Sequence, residues 1–379
     1  MTKKVNLKSE DNFIKDEIYN TINSTDLIID YVYINGDDKY INGLYDYFLT
    51  TDINLLKIYN YIYFYLRNNK YINKYFDLLF LLSERYDIYM LNIEQFQFTN
   101  ETIKKLCNFI KLNKVEILNL NIYETSIEDI ILLAESIKDN ISINKLILDT
   151  DKLDNNSLNI LIESLKYNDY INELEIEFDT SLNNYKYLFY ISELLKYNHN
   201  IHNLIIKHIF ENNELVYLSE ILKSSSIQYL KLYNCEIDDK QFNIFYDSLK
   251  NNKTLIKLDL SWNKLTNKSY LKILEILKDN DKLINLNLSG NKNKNIILFT
   301  EKLKEIMKYN NTLQVLKLGG EFFQKRINHI DSINNLSELL QNNNSLKKIK
   351  LPSYIINNKK YIEILSKIIN IKPELNFYY

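Results

Sequence analysis

Three of the chain's four histidines fall in one short stretch, "YNHNIHNLIIKH", as His199, His202 and His208. Imidazole is the commonest metal ligand, so a metal site is the first chemistry to weigh. His202 and His208 lie at opposite ends of what reads as one strand. Six residues at about 3.3 Å each separate them by roughly 20 Å, far beyond the ~2 Å of a metal–nitrogen bond. The two cysteines, Cys107 and Cys235, are distant in sequence and neither has a histidine nearby. Both read as buried thiols rather than nucleophiles. Gly36, Gly43, Gly290, Gly319 and Gly320 form neither a P-loop nor a GxGxxG, and no serine sits in a glycine-flanked elbow. Acidic pairs are plentiful but read as solvated strand and helix positions, without a pocket in which to act as general acids or bases. The sequence therefore offers no catalytic residues, no metal ligands and no cofactor site, and we expect a non-enzyme with no evident small-molecule substrate.

The 379 residues are 46% hydrophobic and 25% charged, enough apolar material for a large core. A net charge of -2 demands neither nucleic acid nor anionic lipid. With two cysteines, a reducing compartment is the expected setting. "MTKKVNLKSEDNF" lacks the apolar run of a secretory signal, and no stretch reaches the 18 or so apolar residues of a membrane span. The expected location is cytoplasmic, with no membrane partner. Abundant Ile, Lys, Asn and Tyr read as the codon bias of an AT-rich genome.

The elements that would position any functional side chain repeat. "LIKLDLSWNKL" starts at Leu255, and kindred segments start at Ile88, Val115, Ile143, Ile171, Ile201, Ile227, Leu283, Leu313 and Leu346. These starts step by 26 to 33 residues, the period of a solenoid. Between them come segments such as "LIESLKYN", "ISELLKYN" and "ILEILKDN", apolar at three- and four-residue steps as amphipathic helices are. The Asn or Asp after each helix is expected to accept the left-handed conformation that ends helices.

The pattern LxxLxLxx(N/C)x(L/I) followed by a helix resembles the leucine-rich repeat, and a unit near 28 residues with a full helix resembles its ribonuclease-inhibitor-like class. The rungs at Ile227, with Cys235, and at Leu255, with Asn263, match throughout. Phe96, Tyr123, Ile209, Glu321 and Tyr354 replace the asparagine elsewhere, and Asp151 and Asp179 imitate it in part. The resemblance implies an α/β horseshoe with a parallel sheet on the concave face and helices on the convex face. Strand spacing of about 4.8 Å against helix spacing of 8–10 Å requires that curvature. Residues 86–379 carry the array. Residues 26–85 read as degenerate repeats or a capping region, with strands near "IIDYVYI" and in "INLLKIYNYIY" from Ile53, and residues 1–25 as an N-terminal helical cap. A separate small helical domain is the alternative for this region. "KPELNFYY" reads as a last edge strand.

Side chains alternate along a strand. The fourth and sixth positions of each rung, Leu258 and Leu260 for example, point inward. The third, fifth and seventh point to the concave surface, the usual binding face of solenoids. That surface presents Asp149, Glu173, Glu175 and Glu177, then Tyr229, Lys231, Tyr233, Lys257 and Asp259, with Trp262 one place past the seventh position of its rung, beside Tyr233 of the preceding rung. Lys317, Lys348 and Lys350 follow. Tyrosine and tryptophan are enriched at binding hot spots, so these residues are the expected protein-binding site, while the acidic patch argues against nucleic acid. Stacking on the adjacent rung is the other reading of Trp262. The resemblance implies an interaction scaffold. Its alternative is a GTPase-activating or GTPase-regulating protein of the Ran-type leucine-rich repeat class, although Arg67, Arg85 and Arg326 are the only arginines and none lies in a well-formed turn after a strand.

Overall fold

The computed structural model describes residues 3–7, 29–35, 58–67, 72–84, 88–97, 99–123, 125–149, 153–177, 186–207, 214–224, 226–292, 295–319, 329–351, 355, 357–369 and 376–378. They fall into two compact units, Met1–Glu177 and Phe178–Tyr379. In the first, strands β1 (Lys3–Leu7), β2 (Ile29–Asn35), β3 (Ile58–Arg67), β4 (Ile88–Gln97), β5 (Val115–Tyr123), β6 (Lys145–Asp149) and β7 (Glu173–Glu177) each pair in parallel with the next in chain order. Helices α1 (Ile72–Ser83), α2 (Asn100–Ile110), α3 (Ile127–Lys138) and α4 (Asn155–Ser164) link the later strands.

The second unit repeats the plan. Its strands are β8 (Asn203–Lys207), β9 (Tyr229–Leu232), β10 (Lys257–Asp259), β11 (Asn285–Asn287), β12 (Val315–Lys317), β13 (Lys348–Lys350) and β14 (Asn376–Tyr378). These too pair in parallel in chain order. Its helices are α5 (Tyr187–Leu194), α6 (Val216–Ile221), α7 (Asp239–Asn251), α8 (Asn267–Asp279), α9 (Ile296–Met307), α10 (Ile330–Asn342) and α11 (Lys359–Ile369).

The leucine spacing does what alternation requires. Leu255, Leu258, Leu260 and Leu265 are all buried, as are Leu286, Leu288, Leu316 and Leu318 in the rungs that follow. Each such side chain contributes about 1.5–3 kcal/mol of apolar burial. Asn263 is buried among them. Its Oδ1 accepts from the backbone N–H of Cys235 and of Ile237, both at 3.0 Å. Its Nδ2 donates to the carbonyls of Leu232 at 2.8 Å and Leu260 at 3.0 Å. Asn291 repeats the device one rung on, accepting from Leu265 N–H and donating to Leu260 and Leu288. Cys235, in the same place one rung earlier, donates its thiol to the Ile206 carbonyl. Where the asparagine is missing, the strand runs on: β4 and β5 keep pairing through Phe96↔Ile122 and Gln97↔Tyr123. The other departures, Asp151, Asp179, Ile209, Glu321 and Tyr354, lie outside the described residues.

The asparagines after the helices work differently from the sequence reading. Asn252, Asn280 and Asn343 have φ of -67°, -96° and -99°, so they are not left-handed caps. Among the described residues, Asn113 alone of this set turns left-handed, with φ 56°. The rest send the side chain inward. Asn252 Nδ2 donates to Leu222 O at 2.7 Å, while Oδ1 accepts from the N–H of Thr254 and Leu255. Asn140, Asn168, Asn310 and Asn343 make the same bridge to the rung before. An amide side chain satisfies a carbonyl of one rung and two N–H groups of its own, which buried backbone requires.

The early strands correct the register. The structure pairs Phe64 with Leu91 and Leu66 with Ile93, so the rung is "YIYFYLRNNKY" from Tyr61 and not the window from Ile53. Both windows alternate tyrosine with aliphatics, and a shift of eight residues keeps the same face inward, so alternation alone did not separate them. The expected strand near Ile28 is β2. A further strand, β1, was not foreseen and pairs Leu7 with Ile34. The helical-looking "SEDNFIKDEIYNTIN" lies outside the described residues. At the other end β14 is the expected strand, with Phe377 opposite Ile349. No helix among the described residues is long and apolar enough to cross a membrane.

Candidate functional site

On the outward face of the first unit, the expected acidic residues come with a cation the sequence reading did not include. Lys145, at the third position of its rung and the first residue of β6, bridges Glu173 at 2.7 Å and Glu175 at 2.8 Å on β7. Burial alone would lower its ammonium, but the two hydrogen-bonded carboxylates outweigh that and hold its pKa above the ordinary lysine value. Glu175 is only 8% exposed. Asp149 accepts from the Asn121 amide at 2.5 Å, and Glu177 ends β7 exposed. Glu173, Glu175 and Asp149 are thus held by neighbouring rungs. The signal was available, because Lys145 and Asn121 sit one repeat away in the same columns. Lys145→Ala leaves the Glu173 and Glu175 carboxylates without that bridge and should destabilise the first unit by about 1–3 kcal/mol, read by chemical denaturation.

The second unit carries the aromatic group. The Lys231 ammonium lies over the Tyr233 ring at 5.0 Å, and that of Lys257 over the Tyr229 ring at 5.8 Å. Such contacts contribute about 0.5–1 kcal/mol at exposed sites and hold the four side chains as two pairs. Asp259 faces the next rung: its carboxylate accepts from the N–H of Ser261 at 2.9 Å, the Ser261 hydroxyl and the Asn287 amide at 2.8 Å. It is a strut of the sheet face.

Trp262 occupies the eighth position of its rung, with φ 59°. The same place holds Asn234 at φ 54° and Gly290 at φ 76°. Asparagine and glycine are the residues that accept this left-handed turn; a bulky side chain there stores strain of order 1 kcal/mol or more. The indole lies against the following rung, where a Cβ built on Gly290 would come within 2.7 Å of its Cδ2. The Trp262 N–H is tied to the Ser289 carbonyl at 2.8 Å, and the side chain remains 53% exposed.

The residues first weighed for chemistry are placed as follows. His202 Nδ1 lies 3.1 Å from the Ser226 carbonyl, His199 is exposed, and His208 lies outside the described residues. Among the described residues no group of three or more His, Cys, Asp or Glu could hold a metal ion. Cys107 and Cys235 are buried free thiols, and burial pushes the Cys107 thiol up. Arg67 ends β3, while Arg85 and Arg326 lie outside the described residues.

No protein-family model matches the chain, and no curated protein matches it. Among solved structures, the leucine-rich repeat-containing protein LegL7 from Legionella pneumophila matches with a TM-score of 0.55 at 14% identity, over 81% of this chain and 98% of its own. Actin-binding site 2 of leiomodin-1 matches with a TM-score of 0.31 at 22% identity, over 40% of this chain and 87% of that one. The tropomodulin C-terminal domain from Caenorhabditis elegans gives 0.29 at 11% identity, over 57% and 93%. The last two superpose too little to carry an argument. The first, together with parallel strands alternating with helices, establishes the fold as a leucine-rich repeat solenoid of the α/β class.

Proposed function

We propose that the chain is a non-enzymatic scaffold that binds a protein partner on the outward strand face of its second unit. The observation that carries this reading is Trp262, a large aromatic kept half-exposed in a backbone conformation that suits Asn or Gly. Strain of that kind persists where function uses it, and the residue stands among Tyr229, Lys231, Tyr233 and Lys257. Tryptophan and tyrosine dominate binding energy at interfaces, with charged neighbours setting specificity. The likeness of fold to a leucine-rich repeat protein supports protein interaction in general. The test is quantitative capture from the source organism with wild-type chain and with Trp262→Ala/Tyr233→Ala. Two hot-spot truncations at about 2 kcal/mol each should reduce recovery of the principal partner at least tenfold with the melting midpoint little changed. Equal recovery by the two chains would sink the proposal.

A further inference from the structure

Charge separates sharply on the outward face of the second unit. Its outward strand positions hold Lys207, Lys231, Lys257, Lys317, Lys348 and Lys350, against one described carboxylate, Asp259. That carboxylate is held by Ser261 and Asn287. Among the described residues Lys231, Lys257, Lys317 and Lys348 enter no ion pair; the first two lie over tyrosine rings. The whole chain has a net charge of -2, so this face is a positive region on a nearly neutral protein. Strands stack about 4.8 Å apart, inside a Debye length of about 8 Å at physiological salt. The fields of adjacent rungs therefore add.

From this juxtaposition we infer that the second unit binds an acidic peptide segment of its partner, anchored at the Tyr229, Tyr233 and Trp262 end and paired with the lysines of β9 to β13. The inference rests on the scaffold reading above and specifies the partner's chemistry. Four strand spacings from β9 to β13 cover roughly 19 Å, the reach of about six extended residues at about 3.3 Å each. A short run of Asp and Glu thus meets Lys231 or Lys257 at one end and Lys317 or Lys348 at the other. A peptide fits better than a nucleic-acid backbone for two reasons. Asp259 interrupts the lysine row where evenly spaced phosphates would pass. The row also lacks arginine, the side chain suited to bidentate phosphate contact.

Trp262 is the chain's only tryptophan, so its emission reports this patch and no other. The experiment titrates the full chain with fluorescently labelled hexaglutamate, hexalysine and a six-nucleotide oligothymidylate, following polarisation together with Trp262 emission. Hexaglutamate is expected to bind, to perturb Trp262, and to lose affinity as salt rises. Lys231→Glu/Lys257→Glu and, separately, Lys317→Glu/Lys348→Glu should each weaken it about tenfold or more. Glu128→Gln/Glu135→Gln, exposed on helix α3 of the first unit, should leave it unchanged. Tighter binding of the oligothymidylate or of hexalysine, or hexaglutamate binding that survives both charge reversals, would overturn the inference. Absence of hexaglutamate binding would do the same. If capture then still depends on Trp262 and Tyr233, the scaffold reading stands and only the acidic partner falls.

Discussion

Asn263→Ala should lower the stability of the second unit by about 3–5 kcal/mol, the largest of the stability effects we expect. The reasoning is a count of orphaned groups. Truncation strips the Cys235 and Ile237 N–H groups of their acceptor, at 3.0 Å each, and the Leu232 carbonyl of its donor at 2.8 Å. The Leu260 carbonyl keeps the Asn291 amide at 2.8 Å and is spared. Three buried backbone groups at about 1–3 kcal/mol each, with some relief from entering water, give the range quoted. Asn263→Asp should be at least as harmful: it keeps the acceptor but turns a carboxylate toward the Leu232 and Leu260 carbonyls. Urea titration supplies the measurement, with a lowered midpoint at unchanged slope as the expected outcome. A loss below about 1 kcal/mol for Asn263→Ala would mean that the bridge contributes little to holding the rungs together.

Much of this was legible in the residues themselves. Leucine spacing fixed which side chains enter the core, because strand alternation leaves no other choice once a helix covers one face. The internal place of Asn263 followed from needing a short polar side chain where the strand turns away. The register at Tyr61 was not legible, since "INLLKIYNYIY" and "YIYFYLRNNKY" present the same alternation and only pairing with β4 distinguishes them. Nor was the bridging role of Asn252 and its counterparts. Asparagine suits both a left-handed cap and an inward bridge, and the choice depends on a carbonyl one repeat away. For the candidate site, single rungs showed which side chains face outward but not which are engaged. Lys145 with Glu173 and Glu175, and Asp259 with Asn287, are contacts between rungs, visible only when columns are read across repeats. Trp262 stood out as the residue the repeat does not explain, but its contact with Gly290 was not legible, because it depends on the left-handed turn that sends the ring toward the next rung.

Gly290→Ala tests that last contact, and should destabilise the second unit by about 3 kcal/mol. The added Cβ would fall 2.7 Å from Trp262 Cδ2, 2.9 Å from its Cγ and 3.1 Å from its Cα, at a residue whose φ is 76°. The left-handed backbone adds about 1–2 kcal/mol for any residue with a Cβ. The indole is half-exposed and can swing aside, but the Trp262 Cα cannot, since its own N–H is bonded to the Ser289 carbonyl. Trp262→Asn supplies the residue found at the equivalent Asn234, so relief of strain offsets most of the lost ring burial and the net loss should be about 1 kcal/mol or less. In the Trp262→Asn background, Gly290→Ala should then cost only about 1–2 kcal/mol. The difference is a coupling energy of about 1–2 kcal/mol between the two positions, measured by denaturation of the four chains. A near-neutral Trp262→Asn that abolishes partner capture places the indole in recognition. If Trp262→Asn instead loses more than about 2 kcal/mol, the ring is a cover for the Gly290 backbone and its exposure is incidental. The cycle therefore distinguishes the two reasons for which a tryptophan would stand where the repeat favours glycine or asparagine.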